Sequence, residues 1–261
     1  MSAHSYETII LSRSGGVVTV TLNRPEKKNA INGAMWDDLR AALAEITASV
    51  EDRVVVIRGA GGAFCSGADL SGGGRSSAHP LFTMDDIHAI ALTLHHLPKP
   101  VVACVDGDAV GAGLNMALGC DIVLATPRSR FAEIFVRRGL SVDFGGSWLL
   151  PRIVGIQKAK LLCLTGDLIS GAEALDLGLV TRLVDESEME QHLKDLTERL
   201  LAGAPLAQGL TKRLINDASS TTMAQALDAE SAAQAINLRS EDADEARRAF
   251  MEKRQAAFKG A

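Results

Sequence analysis

The chain has 261 residues, 47% of them apolar and 23% charged, and a formal net charge of −5. That apolar content can fill one α/β domain with a helical appendage, and the mixed charge gives no field strong enough to draw nucleic acid or an anionic membrane. Gly, Pro or a charge breaks every apolar run short of the ~20 residues a bilayer span needs. Cys65, Cys104, Cys120 and Cys163 form no C-x-x-C pair, and the opening MSAHSYETII has no basic n-region or apolar h-region. A reduced, cytoplasmic chain that binds neither nucleic acid nor membrane is expected.

In chain order, the β-rich runs Tyr6 to Ser12 and Val17 to Leu22 flank Gly15-Gly16 and predict a hairpin. Apolar spacing near 3.6 predicts a helix over Ala34 to Ser49. VVVIR (54–58) and VVACV (101–105) are continuous apolar runs of strand length, as expected for strands covered on both faces. Between them Met84 to Leu97 has helix periodicity after a Thr83-x-x-Asp86 capping pattern, so the order implies parallel strands with helical crossovers. GGGRSS (72–77) is the most flexible interior stretch by composition. After Pro205 Ala, Leu, Gln and Glu dominate through Phe258, which predicts a C-terminal helical segment. We divide the chain into a core over 1–200 and that segment over 201–261.

Two Gly-rich stretches follow strand ends. FCSGADL (64–70) places small residues and a carboxylate after the 54–58 strand, and VDGDAVGAGLNMALGCDI (105–122) leads from the second strand into a buried helix opening on Gly111 or Ala112. Neither the G-x-G-x-x-G nor the Gly-Lys-Ser/Thr phosphate pattern fits them. Their remaining chemical use is a pair of backbone N–H groups, one from the Gly67-Ala68 loop and one at Ala112, able to hold a developing anion. The alternative is that the glycines only allow close packing.

LNRP (22–25) with Asn29-Ala30, FCSGADL (64–70), GAGL (111–114), CDI (120–122), and Gly166 with SGAEALDLGLV (170–180) together resemble the crotonase family, the enoyl-CoA hydratases and isomerases. The likeness runs nearly end to end. It implies an α/β fold, the crotonase-like spiral of ββα units, with a C-terminal helical segment that assembles homotrimers or hexamers (dimers of trimers). It also implies an acyl-CoA substrate whose thioester carbonyl sits between the N–H groups of Ala68 and Ala112. No cofactor is implied beyond the coenzyme A of the substrate, and no metal. Ser66, Gly67, Asp69, Leu70, Gly111, Asn115 and Phe135 would line the acyl-CoA site. Arg24 and Lys28 would meet the CoA phosphates, with Phe250 and Lys253 reaching in from a neighbouring subunit, while Lys27 and Arg254 beside them read as a solvated charged face.

The two glutamates with which the family's hydratases activate water map onto Asn115 and Phe135. An amide is no base and a phenyl ring holds no water, so the water-adding dyad is absent. A different carboxylate, Asp143, lies in GLSVDFGGSWLLPRIVG (139–155), which resembles the ring-epoxide and enoyl-CoA isomerases of phenylacetate catabolism. Asp143 is therefore expected to carry the proton, its alternative being a cap for the helix running into Trp148. Glu133 is the rival base, with a side chain expected to be solvated. The histidines show no metal-ligand spacing, and no Ser-His-Asp arrangement is present. The expected enzyme shifts a double bond or rearranges a ring by proton transfer through a thioester enolate. A hydratase using Glu133 and a catalytically silent acyl-CoA-binding subunit remain as alternatives.

Overall fold

The computed structural model of the chain describes residues 2–71 and 80–260. An edge strand, β1 (Ser2–Ser5), pairs antiparallel with β2 (Ile9–Ser14), which turns into β3 (Val17–Leu22) through Gly15 and Gly16. Their φ values of 57° and 86° are the left-handed pair that a two-residue hairpin turn requires. The first hairpin strand lies later than the expected Tyr6 to Ser12, because pairing runs up to the glycines, with Ser14 opposite Val17. Tyr6 falls in the turn before β2, its N–H bonded to the Ile9 carbonyl at 3.0 Å.

Helix α1 (Gly33–Ala48) opens at Asn32, whose side chain accepts the Met35 N–H at 2.9 Å. Strand β4 (Val54–Gly59) and helix α2 (Pro80–His96) lead to β5 (Val101–Val105). Because α2 begins at Pro80, a residue suited to a first turn that needs no N–H partner, the Thr83-x-x-Asp86 pattern lies inside the helix and is not its cap. The Gly72 to Ser77 stretch lies outside the described residues. Then come β6 (Asp108–Val110), α3 (Ala112–Leu118), β7 (Ile122–Ala125), β8 (Arg130–Ala132), α4 (Gly146–Val154), α5 (Ile156–Thr165), β9 (Ile169–Ser170), α6 (Gly171–Asp176), β10 (Arg182–Leu183) and α7 (Met189–Leu201).

Seven strands form one sheet in the order β1-β2-β3-β4-β5-β7-β10, parallel from β3 onward, and β6-β8-β9 form a second, small sheet. The small sheet's two- and three-residue strands are too short for alternation to show in sequence. In the large sheet Val55, Ile57, Val101, Ala103 and Val105 face the main core with α1, α2 and α3. Val56, Val102 and Cys104 face Met189 and Leu193 of α7. This two-sided burial explains the unbroken apolar runs in β4 and β5.

The C-terminal segment is three helices, α8 (Pro205–Ala218), α9 (Met223–Asn237) and α10 (Glu241–Glu252). It stops short of Phe258 because Lys253 takes a left-handed φ of 54°. No residue of α8 is fully buried and only Ala233 of α9 is, while Ile215, Met223, Leu238, Phe250 and Met251 are exposed. Among the described residues no helix is long and apolar enough to cross a membrane.

Candidate active site

The site is built where the chain leaves β4 and β5. Cys65 donates its N–H to the Asp108 carbonyl and accepts the Val110 N–H, both at 2.9 Å, which locks the two Gly-rich loops side by side. Gly67 has φ 92°, and a side chain there would meet the Val110 carbonyl oxygen at 2.8 Å and lie 3.8 Å from the Ala112 nitrogen. A Cβ on Gly113 would fall 2.7 Å from that of Cys65. Only glycine permits this approach.

Ile31 bonds across to the loop twice, its N–H to the Gly67 carbonyl at 2.8 Å and its carbonyl to the Asp69 N–H at 2.9 Å. In a parallel bridge the intervening residue faces the other way, so the Ala68 N–H is turned from Ile31. The Gly111 N–H bonds the Ala132 carbonyl at 2.8 Å, and Ala112 begins α3, where no carbonyl lies one turn earlier. Among the described residues neither the Ala68 nor the Ala112 amide has a backbone acceptor. Two such donors on abutting loops can share one oxygen that becomes negative.

The side chains near these loops are held internally. Buried Asn29 donates to the Ala60 and Ala63 carbonyls at 2.8 and 2.7 Å and accepts the Arg24 N–H at 2.9 Å. Arg24 bonds the Ala30 carbonyl and pairs with Asp69 at 3.0 Å. The Ser71 hydroxyl and N–H, then Arg24, hold the Asp69 carboxyl down at about 2. Lys28 pairs with Asp108 at 3.2 Å, and the Ser66 hydroxyl bonds the Lys27 carbonyl at 3.3 Å. Leu70 is exposed. Among the described residues no hydrogen bond, ion pair or ring contact joins Phe250, which is 82% exposed, or Lys253 to this region.

Behind α3 lies a carboxylate corner. Asn115 is fully buried and donates to the Asp143 backbone carbonyl at 2.9 Å and toward Glu133 Oε2 at 3.5 Å. The start of α4 packs on that amide, since a Cβ on Gly146 would lie 2.6 Å from Asn115 Cγ. Glu133 is fully buried, contrary to the expected solvated side chain: β8 and the short 3-10 helix after it (Ile134–Arg138) set the carboxylate against Asn115 of α3. Burial, then the Asp143 charge, push its carboxyl up to about 8 against the Asn115 hydrogen bond. Burial likewise pushes Asp143 to about 6, with His88 acting in the opposite direction. Asp143 does not cap α4, whose N-cap is Gly145 with no side-chain bond.

Asp143 and Asn115 line a cavity of about 530 Å³ with His88, Leu92 and His95 of α2 and Trp148 of α4; Glu133 is not in its wall. Phe135 is buried beside the loop, its Cζ 3.6 Å from where a Gly111 side chain would start. Phe144 takes a left-handed φ of 49°, unusual for an aromatic residue, and its ring stacks on Trp36 at 5.4 Å. Sequence reasoning misses Phe144 and His88, because neither backbone strain nor a facing wall leaves a residue-type signature.

An α/β spiral with two unpaired amides and buried carboxyls beside a cavity matches one family throughout. The chain belongs to the enoyl-CoA hydratase/isomerase family, which it matches over residues 12–261. It is 37% identical over 258 residues to a probable enoyl-CoA hydratase of Rhodobacter capsulatus, covering 98% of this chain and 99% of that one. It is 36% identical over 262 residues to a 1,2-epoxyphenylacetyl-CoA isomerase of Escherichia coli, covering 97% and 99%. The crystal structure of a putative enoyl-CoA hydratase from Streptomyces coelicolor superposes with a TM-score of 0.93 at 34% identity, covering 98% of this chain and 96% of that one.

Proposed function

We propose that the protein is an acyl-CoA isomerase whose substrate carbonyl lies between the Ala68 and Ala112 amides and whose proton carrier is Asp143. The observation that carries this reading is the Asp143 carboxyl itself: it lines the cavity, has one buried oxygen without a partner, and sits near 6, close to working pH. As a carboxylate it takes the proton from the carbon next to the thioester carbonyl. The electron pair moves onto the carbonyl oxygen, which the two amides stabilise, and the acid then returns the proton to the far end of the allylic system, leaving the double bond moved and Asp143 ionised again. Of the residues at the positions of the hydratase glutamates, the Asn115 amide is no base and the Phe135 ring holds no water, so neither can activate water for addition. Glu133 is fully buried with its carboxyl bonded to Asn115, whereas Asp143 is only partly buried. Relatives of near-equal identity carry hydratase and isomerase names, so the choice between them rests on these residues.

On the same reading the exposed apolar residues of α8 to α10 are covered in a homotrimer or hexamer, and Lys253 and Phe250 meet a neighbour's CoA. Double-bond migration of a 3-enoyl-CoA and hydration of crotonyl-CoA, measured on the parent and on Asp143→Asn, test the proposal. Isomerisation should drop about 100- to 10,000-fold in the variant without loss of thermal stability, its melting temperature at neutral pH lying at or above the parent's because the buried Asp143 carboxyl costs stability once ionised. In the parent kcat/KM should rise with pH through about 6 as Asp143 ionises. Full isomerisation by the variant, or brisk hydration by the parent, overturns the assignment.

A further inference from the structure

We propose that Glu133 is a positioning residue for the reaction: behind Asn115, it shares with that amide and one enclosed water a hydrogen-bonded bridge that orients the Asp143 carboxyl. The inference rests on Asp143 as proton carrier. Its ground is three buried oxygens without partners, Asn115 Oδ1, Glu133 Oε1 and Asp143 Oδ1, on residues that Asn115 joins by its two N–H donations. Asn115 and Glu133 are fully buried, and unpaired acceptors at such depth are costly unless a donor meets them.

The hydrogen-bond count closes with one water. Burial and the Asp143 charge keep Glu133 protonated at neutral pH, so its O–H donates to the water. The water's two hydrogens then serve Asn115 Oδ1 and Asp143 Oδ1, giving it three partners, the usual number for a buried water. No acceptor and no hydrogen is left over. Because Asn115 and Asp143 stand in the cavity wall and Glu133 does not, Glu133 acts through them and not on the reacting atoms.

The titratable groups around this bridge are Asp143, Cys163 of α5, whose thiol is pushed up by burial and then by Glu133, and His88 of α2, which faces Asp143. Ionising Glu133 removes the first donor of the bridge and sets a second negative charge behind the base. Activity should therefore fall as pH rises through about 8.

The test compares parent, Glu133→Gln, Glu133→Leu and Asp143→Asn with a 3-enoyl-CoA from about pH 5 to about pH 10, a window spanning the shifted carboxyls. Glu133→Gln should lose the alkaline limb of kcat that the parent shows. Glu133→Leu should lower kcat about tenfold with KM within about twofold, the scale of one lost hydrogen bond to a charged group. An alkaline limb in Glu133→Gln at the parent's midpoint, a parent without that limb, or parental kcat in Glu133→Leu overturns the proposal. If Glu133→Leu fails to fold, the pH profile of Glu133→Gln decides alone. Full activity in Asp143→Asn would sink the base assignment and this role with it. A dead Asp143→Asn beside a Glu133→Gln that tracks the parent would sink only the role of Glu133.

Discussion

The two halves of the site are built on opposite rules. Around Ala68 and Ala112 nearly every neighbouring polar group is paired: Asn29 by three hydrogen bonds, Arg24 with Asp69, Lys28 with Asp108. Around Asn115, Glu133 and Asp143 each residue keeps a buried oxygen without a partner. Main-chain donors must be held still to stabilise charge, so their surroundings are saturated with bonds. On the proposed reading Asp143 takes and returns a proton, which needs a site where neither protonation state is overwhelmingly preferred, and burial supplies that by raising its carboxyl to about 6.

The sharpest break of this contrast lies on the loop side. Ala68→Pro removes one donor outright, and turnover should fall roughly 100- to 1,000-fold with the fold kept, as judged by circular dichroism. Full turnover in a folded Ala68→Pro would mean that the carbonyl binds elsewhere. Gly113→Ala should lower stability by about 1–3 kcal/mol in urea titration, because its Cβ would meet Cys65 at 2.7 Å where neither loop can retreat. An unshifted midpoint would show that the loops are looser than their bonding implies.

The smallest effect separates the halves by sign. Asp69 is held at about 2, below its unfolded value near 4, so its contribution is present at neutral pH and is lost as pH falls through about 2. Glu133 and Asp143 are raised, so the folded chain binds more protons than the unfolded one, and stability falls as pH rises from about 4 to about 8. Melting-temperature differences from the parent should thus diverge. Asp69→Asn should be destabilised at pH 7 and converge on the parent in acid, whereas Glu133→Gln should match the parent near pH 4, gain on it as pH rises to about 8 and level off above that. Drift of the same sign in both variants would show that the two halves are not electrostatically distinct.

What could be read in advance follows the same division. The loops are legible because close backbone approach demands small residues at fixed spacing, which Gly67, Gly111 and Gly113 display, and β4 and β5 are legible because two-sided burial leaves unbroken apolar runs. Asp143 is found by its place in a family-like string, but its surroundings are not. Glu133 reads as a surface charge because burial of a carboxylate depends on what folds over it, here α3, and composition carries no trace of that. The left-handed Phe144 is invisible for a similar reason: the stack on Trp36, far upstream in α1, stabilises a backbone that Phe itself disfavours. The start of α2 is misjudged by a few residues because Thr83 mimics a cap while Pro80 opens the helix.

That the donors at 68 and 112 are main-chain atoms has a consequence for heredity. Eighteen of the nineteen replacements a codon change can bring at either position keep the N–H, and only proline deletes it. Mutation can crowd the donor, but it can hardly erase it. On the proposed reading, the charge-holding half of the site is therefore buffered against drift in a way that Asp143, lost with any single change of residue, is not. A synthetic ester in place of the amide at Ala68, which swaps N–H for oxygen and keeps the methyl side chain, makes the deletion that the genetic code reaches only through the added ring of proline.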